Sequence, residues 1–322
     1  MTTENVTPEN AVPDDKGQHP NHRSGFVCIV GRPNAGKSTL TNALVGQKIA
    51  IASSKPQTTR HTIRGIVHRP DAQLILVDTP GLHRPRTLLG ERLNDLVRST
   101  LSEVDVIVFC MPADQKVGPG DKYIAAELAK LNERRRRTPV VAVVTKADLV
   151  NRETLAKHLL DVSELGQWDE IIPVSAKGGY QVDTLSDVLV TYLPLGGEFY
   201  LDGELTDEPE SVMVAELVRE AVLEGVRDEL PHSLAVVVDE ITPRENSPKS
   251  NPLLDVRVSL YVERDSQKAI VIGKGGSRLR QVGTEARTEI EALLGTRVYL
   301  DLRVKVAKDW QRDPKLLHRL GF

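Results

Sequence analysis

The hydrophobic pattern changes character twice along the chain. Continuous apolar runs at Phe26 to Val30, Leu74 to Val77, Val106 to Cys110, Val140 to Val144 and Ile171 to Val174 predict strands buried on both faces. Between them, helix-length amphipathic stretches predict helices over Thr39 to Val45, Leu88 to Leu101, Asp121 to Leu131, Arg152 to Leu165 and Val182 to Tyr192. This alternation defines a doubly wound α/β domain over residues 25–195, its mostly parallel strands joined by right-handed crossovers.

The alternation then stops. Pro194-Leu195-Gly196-Gly197 breaks regular structure, and Glu198, Asp202, Glu204, Asp207, Glu208 and Glu210 make residues 196–210 an acidic, weakly apolar linker. Beyond it the order is helix (Val212 to Leu230), strand (Leu234 to Thr242), strand (Leu253 to Val262), an apolar helical turn, a glycine-rich turn, helix (Leu279 to Leu294), strand (Arg297 to Val306) and a C-terminal tail. That order predicts a second, smaller α+β domain over residues 211–322. In front of both, residues 1–24 contain no Leu, Ile or aromatic residue and predict a disordered tail.

Composition fits this division. With 322 residues, 40% hydrophobic and 27% charged, the chain can bury two cores. No run approaches the roughly 20 apolar residues of a membrane span, and no signal peptide is recognisable, so a cytoplasmic protein is expected. Cys28 and Cys110 sit inside apolar runs and read as small buried hydrophobes in a reducing compartment. The net charge of −3 is uneven, because Ser211 to Phe322 carries 18 Lys and Arg against 17 Asp and Glu. Within that part, Lys268, Lys274, Arg278 and Arg280 form a basic patch with no acidic residue from Ser266 to Gln281. The run Arg134 to Arg137 ends a helix, where cations complement the dipole, and reads as a solvated helix end.

The chemistry starts where the first strand ends. Gly31-Arg32-Pro33-Asn34-Ala35-Gly36-Lys37-Ser38 fits G-x-x-x-x-G-K-[ST] between a strand and the helix beginning at Thr39, the arrangement that aims backbone amides and a helix dipole at a phosphate. Lys37 adds a mobile charge for the β- and γ-phosphates, and Ser38 a hydroxyl for Mg²⁺. Asp78-Thr79-Pro80-Gly81 closes another strand, placing a carboxylate to hold Mg²⁺ through water and the Gly81 amide to meet a γ-phosphate. Thr145-Lys146-Ala147-Asp148 ends a third. There Asp148 can accept from guanine N1 and N2 while the Lys146 stem covers the ring. Ser175-Ala176-Lys177 ends a fourth, where a backbone amide can donate to guanine O6. Between loop and second strand, Pro56-Gln57-Thr58-Thr59-Arg60-His61 must carry a threonine to Mg²⁺; Thr59 is the first choice and Thr58 the alternative. Arg60 reads either as an internal arginine finger or as a switch residue facing solvent or RNA. His61 and His68 read as polar loop and strand residues rather than bases.

In this order and placement the four segments resemble the G motifs of the translation-factor-related GTPases. The resemblance implies GTP and GDP as ligands and GTP hydrolysis, with Asn34, Lys37, Thr59 and Gly81 as the catalytic set. One departure matters. Thr145 stands where the class usually has Asn, which loses the planar amide that reaches guanine N7 and braces the loop. Leu82 follows Gly81, where many small GTPases carry a water-orienting Gln, so intrinsic turnover is expected to be slow. Asn34 with this apolar replacement resembles a subgroup in which K⁺ stands in for an arginine finger. The alternative is that Asn34 only braces its own loop.

In the second domain Gly273-Lys274-Gly275-Gly276 is a G-x-x-G turn between two helices, in the order of a type II KH domain. Such a loop clamps the nucleic-acid backbone, with Lys268, Lys274, Arg278 and Arg280 answering its charge and Gly273, Gly275 and Gly276 keeping side chains out of the way. Aromatics are scarce nearby, so apolar contacts and base-edge hydrogen bonds are expected rather than stacking. Together with Gln57 to Arg60 and Glu229-Leu230-Pro231-His232-Ser233, these motifs are similar to those of the Era family of ribosome-assembly GTPases. That resemblance implies a protein that binds the 3′ end of small-subunit ribosomal RNA, and the assembling small subunit, in its GTP state; a monomer is expected. The resemblance also implies occasional peripheral attachment to the inner face of the cell membrane. An RNA chaperone or RNA-modification factor is the rival reading.

Overall fold

The computed structural model describes residues 21–322 except 52–58, 84, 86, 135–136, 225–232, 246 and 249–251. The expected tail over residues 1–20, the segment Pro56 to Thr58, the predicted helix beyond Glu224 and Glu229 to His232 lie outside the described residues. In the first domain β1 (Arg23–Gly31), β2 (Ile63–His68), β3 (Ala72–Asp78), β4 (Val106–Pro112), β5 (Val140–Thr145) and β6 (Glu170–Pro173) form one sheet in the order β2-β3-β1-β4-β5-β6. Only β2 runs antiparallel, against β3. All residues of β3, β4 and β5 are buried, because both faces are covered.

On one face α1 (Lys37–Val45) and α5 (Val182–Tyr192) pack Leu40, Leu44, Leu185 and Leu189 against Val27, Ile29, Leu74 and Leu76. On the other, α2 (Leu88–Leu101), α3 (Pro119–Arg134) and α4 (Arg152–Leu165) pack Val97, Ile124, Leu128 and Val162 against Cys28, Val30, Phe109 and Val144. Local signals fix where the helices start. Thr87 accepts a hydrogen bond from Gly90 N at 3.2 Å, and Asn151 one from Thr154 N at 2.8 Å, each satisfying a free amide of the first turn.

The second domain begins with α6 (Glu210–Glu224), followed by β7 (Ala235–Pro243), β8 (Leu253–Val262), α7 (Asp265–Ile272), α8 (Ser277–Leu294) and β9 (Arg297–Val306). The sheet order is β7-β8-β9, antiparallel then parallel. Val214, Val218 and Val222 from α6, Val282, Ala286 and Ile290 from α8, and Val256, Val258 and Leu260 from β8 make its core.

Four boundaries differ from the sequence expectation. Strand β1 begins at Arg23, inside the expected tail, because Arg23 N donates to Asp71 O and Ser24 N to Pro194 O, each at 3.1 Å. Strand β2 has no apolar run to announce it; Arg64 and Gly65 interrupt Ile63 and Ile66, yet backbone pairing with β3 is continuous. The acidic linker is not a bare tether. Ile66 N donates to Leu205 O at 2.9 Å, Gln73 Oε1 accepts from Phe199 N at 2.7 Å, and Arg64 pairs with Asp207 at 2.8 Å, so the linker lies along the β2 edge. The C-terminal tail folds as α9 (Pro314–Arg319), capped by Asp313 Oδ1, which accepts from Lys315 N at 2.8 Å.

That last segment joins the domains. Trp310, Leu317 and Leu320 bury themselves with Leu89 and Leu93 of α2 and Ala235 of β7. The Trp310 indole donates to Ser233 O at 3.0 Å. Truncating a fully buried indole costs about 3 to 5 kcal/mol. Trp310→Ala is therefore expected to lower unfolding stability by about that amount in urea titrations followed by Trp168 fluorescence. A loss below about 1 kcal/mol would show that the indole does not hold the interface.

Candidate functional site

The phosphate-loop residues lie where β1 ends and α1 begins. Gly36 adopts φ 88° and Asn34 φ 64°, the left-handed turn that reverses the chain into the helix. Arg32 leans outward onto the buried Asp121 at 3.1 Å, which in turn accepts from Gly118 N at 2.9 Å. The loop is thereby tied to the start of α3. Lys37 is buried, and its ammonium donates to Arg32 O at 3.2 Å. Burial pushes its pKa down, while the nearby Asp78 carboxylate pulls it back up. Thr39 follows in the first turn of α1, half-buried.

Asp78 is the centre of the site. It is fully buried at the end of β3, and desolvation raises its pKa against the opposing pull of Lys37, Ser38 and Thr59. Its Oδ2 accepts from Ser38 Oγ at 2.6 Å and Thr59 Oγ1 at 3.3 Å, and the two hydroxyl oxygens are 3.0 Å apart. Its Oδ1 is buried with no hydrogen-bond partner among the described residues. Three oxygen groups from three chain segments, one a carboxylate with a bare oxygen, form the donor set of a hard divalent cation. The choice of Thr59 rests on this geometry; Thr58 is not among the described residues.

The chain after Asp78 is pressed onto the loop. Thr79 Oγ1 donates to Ile29 O at 2.8 Å, and Leu82 N to Gly31 O at 3.2 Å. A Cβ at Gly81 would stand 2.7 Å from Pro33 N, so glycine is required for this approach. Pro80 is buried beside it, and Leu82 is buried in the core under α2 rather than facing the loop.

The segments Thr145 to Asp148 and Ser175 to Lys177 lie at the ends of β5 and β6. Thr145, expected to leave the loop unbraced, braces it directly: its Oγ1 donates to Ala35 O at 2.6 Å. The hydroxyl thus supplies from β5 the brace, one of the two tasks of the missing amide, at the level of one hydrogen bond of about 1 kcal/mol. Lys146 takes φ 57° and pairs with Asp114 at 3.3 Å. Ala147 N donates to Val174 O at 3.2 Å and locks this turn to the following segment. Asp148 is left exposed, Ser175 is buried, Ala176 half-buried and Lys177 exposed. Ser175 Oγ accepts from Gly178 N at 3.0 Å and shapes that turn.

Arg60 contradicts both sequence readings. It is neither beside the phosphate loop nor facing solvent, being 1% exposed between the domains. Its Nη1 donates to Leu234 O, and its guanidinium lies 5.6 Å from the Trp310 ring centre and 5.9 Å from that of Phe322. Desolvation, then Arg219, pushes its pKa down to about 9, against Glu216 and Glu263. His61 stacks on Phe322 at 5.1 Å. The sequence holds no local signal for these contacts, since the partners are more than 150 positions away.

In the second domain, Gly273 takes φ 73°, and a Cβ there would meet Arg278 Cβ at 2.7 Å. Gly275 and Gly276 also have positive φ and open space around them, and Lys274 and Arg280 project into solvent, with Lys268 half-buried on α7. Arg278 departs from the expectation. Its Nη2 donates to Ala221 O at 3.1 Å and Val222 O at 3.4 Å, so it fastens the loop to the C-terminal end of α6. Beside the loop a groove of about 350 Å³ runs between α8 and β9, lined by Leu279, Arg280, Arg287, Tyr299 and Leu302. Arg287, Tyr299 and Leu302 were missed because their neighbours in the groove lie on another element. Aromatics were expected to be scarce here; one, the exposed Tyr299, lines the groove, with Arg244 4.4 Å over its ring.

Comparison with known proteins agrees with both halves. A family model described as 50S ribosome-binding GTPase matches residues 26–146, and a KH domain model matches residues 229–311. GTPase Era of Streptomyces coelicolor is 67% identical, over 94% of this chain and 95% of that protein. A crystal structure of Era in complex with MgGDPNP and nucleotides 1506-1542 of 16S ribosomal RNA superimposes with a TM-score of 0.87 at 36% identity, over 93% of this chain and 99% of that one. A variant of Aquifex aeolicus Era bound to GDP.AlF4- gives 0.86 at 36% identity, with the same coverage. On this similarity in sequence, domain order and structure, the chain belongs to the Era family of GTPases.

Proposed function

We propose that the chain is a slow GTP-hydrolysing switch whose KH domain binds small-subunit ribosomal RNA near its 3′ end during assembly of the small subunit. One observation carries the reading: Thr59 and Arg60 are consecutive, the first beside Ser38 and Asp78 and the second buried against the second domain. A ligand that moves Thr59 therefore acts on the contact that seats the KH domain.

In this reading the amides of Gly31 to Thr39 and the Lys37 ammonium hold the β- and γ-phosphates, and Lys146, Asp148 and Ser175 to Lys177 hold the guanine. Ser38, Thr59 and Asp78, the last through water, hold Mg²⁺, whose charge offsets that of the phosphates. The Gly81 amide meets the γ-phosphate. Leu82 offers no group to orient water, and Asn34 supplies an oxygen for K⁺ in place of an arginine finger. Lys268, Lys274 and Arg280 with the Gly273 to Gly276 backbone grip the RNA phosphates, while Leu279, Tyr299 and Leu302 face the bases. A cytoplasmic monomer suits two buried unpaired thiols, of which Cys110 is pushed up to about 12 by burial, and suits both sites lying in one chain.

Three outcomes are expected. Lys37→Ala should abolish the difference in RNA affinity between GTP and GDP states in filter-binding assays; a difference that survives would point to a chaperone using GTP only as a folding ligand. Lys274→Asp with Gly275→Asp should weaken RNA binding at least tenfold while GTP turnover stays within about twofold, measured by phosphate release. Turnover should be faster in KCl than in NaCl of equal ionic strength, and equal rates would remove K⁺ from the mechanism.

A further inference from the structure

Away from both sites, three segments bring imidazole and carboxylate groups together at the start of the linker. One ligand atom each from His68, Glu198 and Asp202 lies within 4.8 Å of the others. His68 closes β2, while Glu198 and Asp202 belong to the linker that runs along it. On the buried side His22 approaches one member of this group, its Nε2 standing 4.0 Å from Glu198 Oε1.

The tautomers are already set. His22 Nδ1 donates to Gly196 O at 2.8 Å, with Ser24 Oγ 3.4 Å from the same nitrogen, which leaves Nε2 with its lone pair. That atom is buried and has no hydrogen-bond partner among the described residues, and the residue is only 7% exposed. His68 Nε2 donates to Glu204 O at 2.8 Å, which leaves Nδ1 as the acceptor side of the ring, 3.7 Å from Asp202 Oδ1. Gln73 Nε2 stands 3.3 Å from His68 Nδ1 and donates also to Tyr200 O at 2.9 Å. Its contact with Nδ1 is the one a ligand would displace. An imidazole whose other nitrogen is held by a backbone carbonyl is the usual arrangement of a metal-binding histidine.

We propose that His22, His68, Glu198 and Asp202 form a binding site for a divalent transition metal of the zinc class. Two imidazole nitrogens and two carboxylates are a nitrogen and oxygen set that suits zinc or cobalt and not magnesium, which favours oxygen alone. The 3.7 Å separation closes by a movement of Asp202, whose side chain is 92% exposed, and the 4.0 Å separation by a movement of Glu198 toward His22. The bound ion would fasten the linker at Glu198 and Asp202 to the entry of β1 and the end of β2.

The test uses the full chain with its phosphate site filled by Mg²⁺ and GDP. Cobalt is titrated while visible absorption is recorded, and zinc is then titrated by calorimetry. One equivalent of each is expected, with cobalt giving the intense bands of a tetrahedral site. Asp202→Asn and Glu198→Gln lie on exposed positions and should each weaken zinc binding at least about tenfold, as should His68→Gln, with GTP turnover unchanged. Absence of saturable uptake, or zinc affinity equal in the native chain and all three variants, would overturn the proposal.

Discussion

A carboxylate buried without water must be answered by its surroundings, and in this protein Asp78 is that carboxylate. Its partners come from the phosphate loop through Lys37 and Ser38, and from the segment before β2 through Thr59. Each partner alone is a modest contribution. Together they locate three chain segments on one point, because a buried charge left unanswered costs more than the ordering of the loops that meet it. The Gly81 turn and the Thr145 hydroxyl then press on the loop from either side.

Much of this was legible from sequence because it is local. The octapeptide Gly31 to Ser38, the carboxylate closing a strand at Asp78 and the G-x-x-G at Gly273 each carry their chemistry within a few residues, so spacing reveals it. The strands β3, β4 and β5 announce themselves by burial on both faces. Strand β2 does not, since its register comes from pairing with β3 and not from its own composition. Thr59 could be named only by what a cation would need, and in the structure its hydroxyl stands beside Ser38 and Asp78.

What sequence could not show depends on distant partners. Arg60 reads as a charged switch residue until Leu234, Trp310 and Phe322 are seen around it. Arg278 reads as an RNA contact until the α6 carbonyls are seen to accept from it. Thr145 is similar: the loss of an amide was plain in the sequence, but the reach of its hydroxyl to Ala35 was not. In each case the residue type suggested one use of its polar group, and packing had already taken that group for another.

The linker along β2 has a consequence of its own. A mixed sheet open at both ends offers two rows of unpaired backbone groups on which another chain can extend it. At one end β6 is only four residues long, and at the other the linker bonds through Leu205 to Ile66 and through Arg64 to Asp207. The acidic tract that reads as a spacer therefore also guards the sheet against self-association, so that shortening it would expose a template for aggregation as well as drawing the domains together.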